Sequence, residues 1–442
     1  MYDLRPPAVY AHQTVMNHPV YRGRVERVVA ALKERREIIT FADADVPAMV
    51  RDGGLLSRRT PMGTQGEAPD PILLFNTFRF DAREAVQARM QALREAGVQT
   101  WPMTLQNLSG GGAFCWFDAN LETDACRHDK VCRPCWRIHM QQGCVHKCGY
   151  CPFGGLLVAM VNVEDYCREL QKIIDRHPWQ QTYLLDDDGD PPCLEPELGV
   201  LGPLVEYFGH LEERYLIIHT KSWNVGWMSE LAHRGQTIMV WSLSGRTQAR
   251  EIERGAGSPE ERIEAARTAQ AAGYPIRYKF KPIIPVHSWR EDAVELVRMV
   301  FERTRPDMIS LCTFMWMDVE EMERRLPVEL LDPAFLKAAR DEREAMASTR
   351  ARPFPDRVRR EIYEFYLREI RKYAPDIPVS LSTENFRLWG EMAGELGMTA
   401  TNYVCGCGPQ STPGKRLLEC HPFKIAKYDG AGIPGVVGPG EK

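Results

Sequence analysis

The chain contains no apolar stretch near the roughly 18 residues of a membrane span. Met1 to Arg22 carry no apolar core of the secretory kind. Together these absences argue against a helical membrane protein and make the cytoplasm the expected location. A basic excess is missing too. Lys and Arg number 56 against 60 Asp and Glu, the net charge is -4, and the pI is about 6.3. Global charge therefore does not advertise nucleic-acid binding, although a local basic groove stays open. No internal repeat and no long low-complexity tract is present, which excludes a repeat architecture. What remains is an ordinary globular composition, 44% hydrophobic and 26% charged, over 442 residues. That length suits one large α/β domain or two to three smaller ones. Thirteen cysteines are the unusual feature. In a cytoplasmic chain they argue for metal ligands or reactive thiols rather than a disulfide framework. Cys115, Cys167 and Cys312 stand alone in apolar surroundings and read as small buried hydrophobes.

Three of the thirteen fall within eight residues: Cys144, Cys148 and Cys151, in the run Gly143-Cys144-Val145-His146-Lys147-Cys148-Gly149-Tyr150-Cys151. The spacing is C-x3-C-x2-C with an aromatic residue before the last cysteine. Iron–sulfur clusters are commonly held by four thiolates. A loop that offers three leaves one iron of a four-iron cluster open to a small molecule, as catalytic metal sites keep an open position. A structural zinc knuckle is the competing reading.

Around this loop the pattern alternates strand and helix. Strands are expected at 137–141, 182–186, 214–219, 237–241, 276–284 and 308–313, with amphipathic helices between them. The clearest helix is 259–272, with Ser258 as N-cap, Pro259 in the first turn, Glu261 closing a capping box and Gly273 stopping it. A helix at 290–304 is expected to bury Val294, Val297, Met299 and Phe301. Alternating units predict a parallel sheet flanked by helices, and six of them suit a partial (β/α)6 barrel. In barrels the site lies at the C-terminal ends of the strands, and the cysteine loop follows the first strand. Residues 1–125 form an N-terminal α/β region with a basic helix near 22–36, a strand at 71–75 and a helix at 81–96. Residues 126–315 form the barrel core. Residues 316–442 hold a charged helical insertion (318–352), a helix at 355–373, a strand at 377–381, a helix near 384–396 and an irregular Gly/Pro-rich tail.

The cysteine loop resembles that of the radical SAM superfamily, in which the open iron holds the amino and carboxylate groups of S-adenosylmethionine (SAM). Five further segments resemble the spore photoproduct lyase family, which repairs a UV-induced thymine dimer in DNA. They are Val161-Asn162-Val163-Glu164-Asp165, Thr220-Lys221-Ser222-Trp223-Asn224-Val225, Trp241-Ser242-Leu243 with Ile252-Glu253-Arg254-Gly255, Glu261-Arg262-Ile263 with Ala271-Ala272-Gly273-Tyr274-Pro275, and Lys281-Pro282-Ile283-Ile284-Pro285 with Trp289. The similarity covers about residues 140–315. It implies a [4Fe-4S] cluster on Cys144, Cys148 and Cys151. It implies that Lys221 pairs with the SAM carboxylate, Ser242 hydrogen-bonds SAM and Tyr150 packs on the adenine side. In the acidic run Asp186 to Asp190, Asp188 would lie near the methionine amine. A reductant such as flavodoxin or ferredoxin is also implied.

The chain departs from the family where reactivity is concerned. Lys281 stands where the family has aspartate. Aspartates stand where its lyases carry the cysteine that returns a hydrogen atom to the product radical, and Ser382 stands where cysteine is frequent. Cys193 is a candidate hydrogen donor by proximity alone, and Lys281 a candidate substrate-facing residue. A second metal site, zinc or an auxiliary iron–sulfur cluster, is a candidate on Cys126, Cys132, Cys135, Cys405, Cys407 and Cys420. The expected function is reductive cleavage of SAM to a 5′-deoxyadenosyl radical that abstracts hydrogen from a nucleic-acid base or nucleoside. A small-molecule tailoring enzyme and a non-catalytic iron–sulfur or zinc protein remain as alternatives.

Overall fold

The computed structural model describes residues 2–56, 70–111, 114–118, 131, 135–178, 180–186, 188–400, 402–408 and 410–416. Its strands are β1 (Val9–His12), β2 (Ile38–Phe41), β3 (Ile72–Asn76), β4 (Cys115–Asp118), β5 (Cys135–Ile138), β6 (Gln141–Gln142), β7 (Leu156–Met160), β8 (Thr182–Leu185), β9 (Tyr215–Thr220), β10 (Thr237–Leu243), β11 (Ile276–Ile283), β12 (Ile309–Thr313) and β13 (Val379–Leu381). They form two sheets. The larger runs β13-β12-β11-β10-β9-β8-β5-β4, parallel throughout except for β4 against β5. The smaller runs β2-β1-β3-β7-β6, parallel except for β6 against β7.

The larger sheet is the expected partial barrel. Six strands alternate with helices (β5, β8, β9, β10, β11, β12), and β13 continues the sheet parallel to β12 with Ile309 opposite Val379. The helix Pro259–Ala271 carries its capping box: the Glu261 N–H donates to Ser258 Oγ (3.2 Å) and the Ser258 N–H to Glu261 Oε2 (2.7 Å). Such a cap stabilises by about 1 kcal/mol. The helix Trp289–Arg303 buries Ala293, Leu296, Val297 and Val300 at the spacing of one helical face. Met299 and Phe301 are also buried, but Val294 is 42% exposed. One position beyond Ala293, it turns about 100° off that face, which corrects the sequence expectation.

The smaller sheet was only partly expected. The chain leaves the barrel after β5, pairs through β6 and β7 with β3, and returns along the helix Val163–Arg176. The cysteine loop therefore joins β6 to β7 within the smaller sheet, and the barrel region lends these two strands to the N-terminal one. Strands β1, β3 and β7 are buried along their whole length, as parallel strands covered on both faces are. The insertion is a set of short helices, Val319–Arg325, Pro333–Asp341 and Arg343–Met346, divided where Pro327 and Pro333 fall. Cys115 and Cys312 are fully buried. Cys167, on the flank of the helix Val163–Arg176, is only half-buried. Among the described residues no helix is long and apolar enough to cross a membrane. The tail beyond 416 lies outside the described residues.

Candidate active site

The cysteine loop follows β6, a few residues beyond the C-terminal end of β5, and backbone contacts fix it there. The Gly143 N–H donates to the Asp188 carbonyl (2.8 Å), the Gly149 N–H to Ile252 (2.8 Å), and the Gly255 N–H to His146 (3.0 Å). Two of these glycines are required by space. Gly143 adopts φ +82°, and a Cβ on it would lie 2.1 Å from the Leu156 carbonyl oxygen; a Cβ on Gly255 would lie 2.7 Å from that of His146.

Two buried carboxylates hold the loop from its two ends. Asp190 takes the first half. It accepts from Thr220 Oγ1 (2.9 Å), the Lys221 N–H (2.6 Å) and Ser222 Oγ (2.8 Å), and His146 Nε2 stands 3.0 Å away. His146 Nδ1 faces the Gly255 carbonyl at 3.1 Å, so the ring spans from Asp190 to the turn at Gly255. Burial would raise the Asp190 carboxyl, but His146, the Lys221 N–H and Ser222 hold it below the usual range. Glu253 takes the second half. It accepts from Tyr150 Oη (2.7 Å), Ser244 Oγ (2.9 Å) and Gln248 Nε2 (3.1 Å). Arg262 Nη2 stands 2.7 Å from Glu253 Oε2 as an ion pair, off the direction of a hydrogen bond. Burial again opposes ionisation; Arg262, Lys221 and Tyr150 overcome it and bring the Glu253 carboxyl to about 2. Arg262 also donates to the Ser242 carbonyl (3.1 Å), tying this hub to β10.

The three thiols share one neighbourhood. Burial, and then the nearby Cys151, Cys193 and Cys148, push Cys144 well above its ordinary range; burial lifts Cys148 to about 12 and raises Cys151. Lys221 is near Cys148 and Cys151, with Nζ 5.7 Å from the Tyr150 ring centroid. Cys148 is buried, and Cys144 and Cys151 are half-buried. Lys221, with Arg262 near Cys148 and Arg325 near Cys151, opposes the effect of burial without overcoming it, and a bound metal centre deprotonates coordinating thiols outright. Among the described residues no three His, Cys, Asp or Glu side chains converge closely enough to chelate one metal ion. A four-iron cluster takes each thiolate on a different iron and spreads its ligands wider than a single ion does. The donor set fits a cluster better than a lone zinc.

Inward-facing positions on the strands line the lumen. The floor is apolar, formed by Cys135, Leu184, Ile217, Ile238 and Val240. Residues 404–408 and 410–412 lie beneath it. Cys407 packs on this cluster and Val404 on Met308, while Arg277 donates to the Gly406 carbonyl (3.3 Å) and the Thr412 carbonyl (3.1 Å). Cys407 is held well below the usual thiol range, chiefly by Cys135 and Cys405 beside it, with Lys279 and His219 adding to the effect. Above the floor the lumen becomes cationic. His219 Nδ1 lies 3.5 Å from Lys279 Nζ, and burial together with Lys279, Lys281 and Arg137 drives its ionisation well down.

The structure thus brings Cys144, Cys148, Cys151, Tyr150 and Lys221 together, with Ser242 on the adjoining strand. Asp188 lies near Cys151, and its carbonyl is engaged by Gly143. Cys193 is apart from the lumen. It accepts from Gln141 Nε2 (3.4 Å), neighbours Cys144, and lines an outer cleft of about 1300 Å³ with Val145 and His146. Its neighbours are thus Cys144 and Asp190, on the cleft side of the loop. Two of the run's aspartates are buried anchors: Asp190, and Asp186, which accepts from the Met140 and Gln141 N–H groups (2.9 and 2.8 Å). Of the second-site candidates, Cys135, Cys405 and Cys407 meet at the floor, whereas Cys126, Cys132 and Cys420 lie outside the described residues. Sequence reasoning missed His146, Asp190 and Glu253 as loop anchors; their only signal was position, His146 inside the cysteine run and Glu253 inside a family-like segment.

Comparison with known proteins supports the resemblance. Residues 131–319 match a family model described as spore photoproduct lyase. The spore photoproduct lyase of Geobacillus sp. (strain Y412MC61) is 25% identical over 191 residues, which are 40% of this chain and 54% of the relative. That of Clostridium acetobutylicum is 24% identical over 183 residues, 39% of this chain and 54% of the relative. The chain thus spans about half the length of these curated relatives. Solved spore photoproduct lyase structures superpose with a TM-score of 0.58 at 16% identity, covering 86% of this chain and 99% of theirs. One is a variant with bound AdoMet and a dinucleoside spore photoproduct. The fold of the chain is the spore photoproduct lyase fold.

Proposed function

We propose that this chain is a radical SAM enzyme that takes a hydrogen atom from a substrate held in the barrel lumen. The observation that carries the reading is the convergence of three thiols, one buried and two half-buried, with Tyr150 and Lys221 beyond the C-terminal end of the first barrel strand. Cys144, Cys148 and Cys151 would hold a [4Fe-4S] cluster. When bound, that cluster would supply the one electron needed for reductive cleavage of SAM, and SAM the radical that takes the hydrogen atom.

The protein's own part is positioning. Lys221 offers a point charge for the SAM carboxylate, and its backbone is pinned by Asp190. Tyr150, tethered through its hydroxyl to Glu253, presents its ring to the adenine side. Ser242 faces the lumen one strand away. Two anchored loop ends keep the site rigid, and the covered floor limits water.

The substrate class carried over from the relatives is a nucleic-acid base or nucleoside. The alternative is a small metabolite, favoured by the acidic pI and by Lys281 in place of an acid. Cys135, Cys405 and Cys407, which do not converge on one metal-ion position, are candidate ligands for an auxiliary cluster rather than for a single zinc. A thiol-ligated cluster requires a reducing compartment, so we place the chain in the cytoplasm with flavodoxin or ferredoxin as electron donor.

The test is anaerobic reconstitution with iron and sulfide, reduction, and chromatography for 5′-deoxyadenosine after adding SAM. Deoxyadenosine from the native chain, and none from a variant lacking the three loop cysteines, is the expected result. Failure to bind iron at the loop would overturn the reading.

A further inference from the structure

We propose that the lumen binds a compact anionic group of the substrate, a carboxylate or a phosphate, with Lys281 as the residue that pairs with it. The inference deepens the proposed function and rests on it.

Strand β11 places Arg277, Lys279 and Lys281 on its inward face, every second residue. Arg277, at the floor, is neutralised by Asp307 (2.7 and 3.0 Å). Lys279, in the middle, lies beside His219 and the Cys407 thiol. Lys281, at the rim, has no carboxylate within ion-pair distance among the described residues. Its contact is the Trp316 ring, 5.1 Å from Nζ to centroid. The groups facing this region are Cys312 on β12, Lys279 below, and Arg137 and His219 across the lumen, with Glu384 as the one carboxylate near Cys312 among the described residues.

The nearest carboxylates of this wall are committed elsewhere. Glu384 is bonded to Arg359 (3.0 Å) and Tyr363 (2.9 Å). Asp190 and Glu253 hold the cysteine loop. A partly buried lysine without a counter-charge forgoes hydration unless an anion arrives. Trp316 supports the same reading. It is 37% exposed at the rim and holds φ +83°, a conformation that bulky residues adopt at a cost and that clusters at ligand clamps. Lys221, on the opposite side near the cysteines, is placed for SAM, so the two lysines serve different anions.

The test uses the reconstituted, oxidised holoenzyme with SAM bound, so that no turnover occurs. Inorganic phosphate and acetate are titrated by calorimetry at constant ionic strength into the native chain, Lys281→Gln and Lys281→Arg. The expected result is one saturable site in the native chain, weakened at least about tenfold in Lys281→Gln and restored by Lys281→Arg. Preference for phosphate assigns a phosphate ester, and preference for acetate a carboxylate. Equal affinity in Lys281→Gln, or no saturable binding of either anion, would overturn the proposal. Iron content and SAM binding, measured on the same samples, report separately on the cluster and cofactor reading.

Discussion

The two sides of the barrel treat buried charge in opposite ways. On the β8–β10 side, Asp190 and Glu253 are surrounded by partners, and every partner leads to the cysteine loop or its supporting strands. On the β11–β12 side, cations face inward and Lys281 meets a ring instead of a carboxylate. A satisfied network rigidifies; an unsatisfied charge waits for a partner. The first side is built to hold what stays through every turnover, and the second to receive what comes and goes.

That contrast is breakable by mutation. The largest effect is expected from replacing Cys144, Cys148 and Cys151 together by Ala: loop-bound iron is lost and deoxyadenosine falls to background, while circular dichroism keeps the native helix content. Next, Glu253→Gln leaves Arg262 buried without its charge and should destabilise by about 3–5 kcal/mol at neutral pH, measured by denaturant unfolding. The pH dependence has a definite sign. Because the folded-state carboxyl of Glu253 sits at about 2 against an ordinary 4.5, its stabilisation is complete above about pH 4.5 and lost as pH falls toward 2. Native chain and variant should therefore converge in stability as the solution is acidified through that window; a gap that stays constant would refute the assignment.

A smaller effect is expected from Gly143→Ala. The left-handed backbone and the Leu156 carbonyl together should cost at least about 1–3 kcal/mol, with iron retention reduced in a reconstitution assay. Smallest of all is Cys193→Ala, on the outer side of the loop: about 1 kcal/mol of stability at most and unchanged deoxyadenosine yield per iron. A large loss of turnover in that variant would return Cys193 to the chemistry and blur the distinction between the two sides.

Much of the barrel is legible in the chain because each unit is local. Strands at 182–186, 214–219, 237–241, 276–284 and 308–313 fall within a few residues of β8 to β12. The capping box at Ser258 and Glu261 needs only a four-residue window. What is illegible is long-range. Strands β1 and β2 have four residues each, too few to show a period, and β7 joins β3 across more than 80 positions. The cysteine spacing named the loop, and Lys221 followed from the text around it. No local pattern links His146 to Asp190, or Tyr150 to Glu253 some 100 positions away. Val294 was misassigned because its apolar character outweighed its angle on the helix.

The floor of the lumen has a kinetic consequence. Val404, Gly406 and Cys407 pack beneath the strands, so that among the described residues the lower end of the lumen is covered. A ligand that enters from the upper end then lies beneath any that follows it. Ordered loading, with inhibition by an excess of the later ligand, is the pattern initial-rate kinetics should reveal.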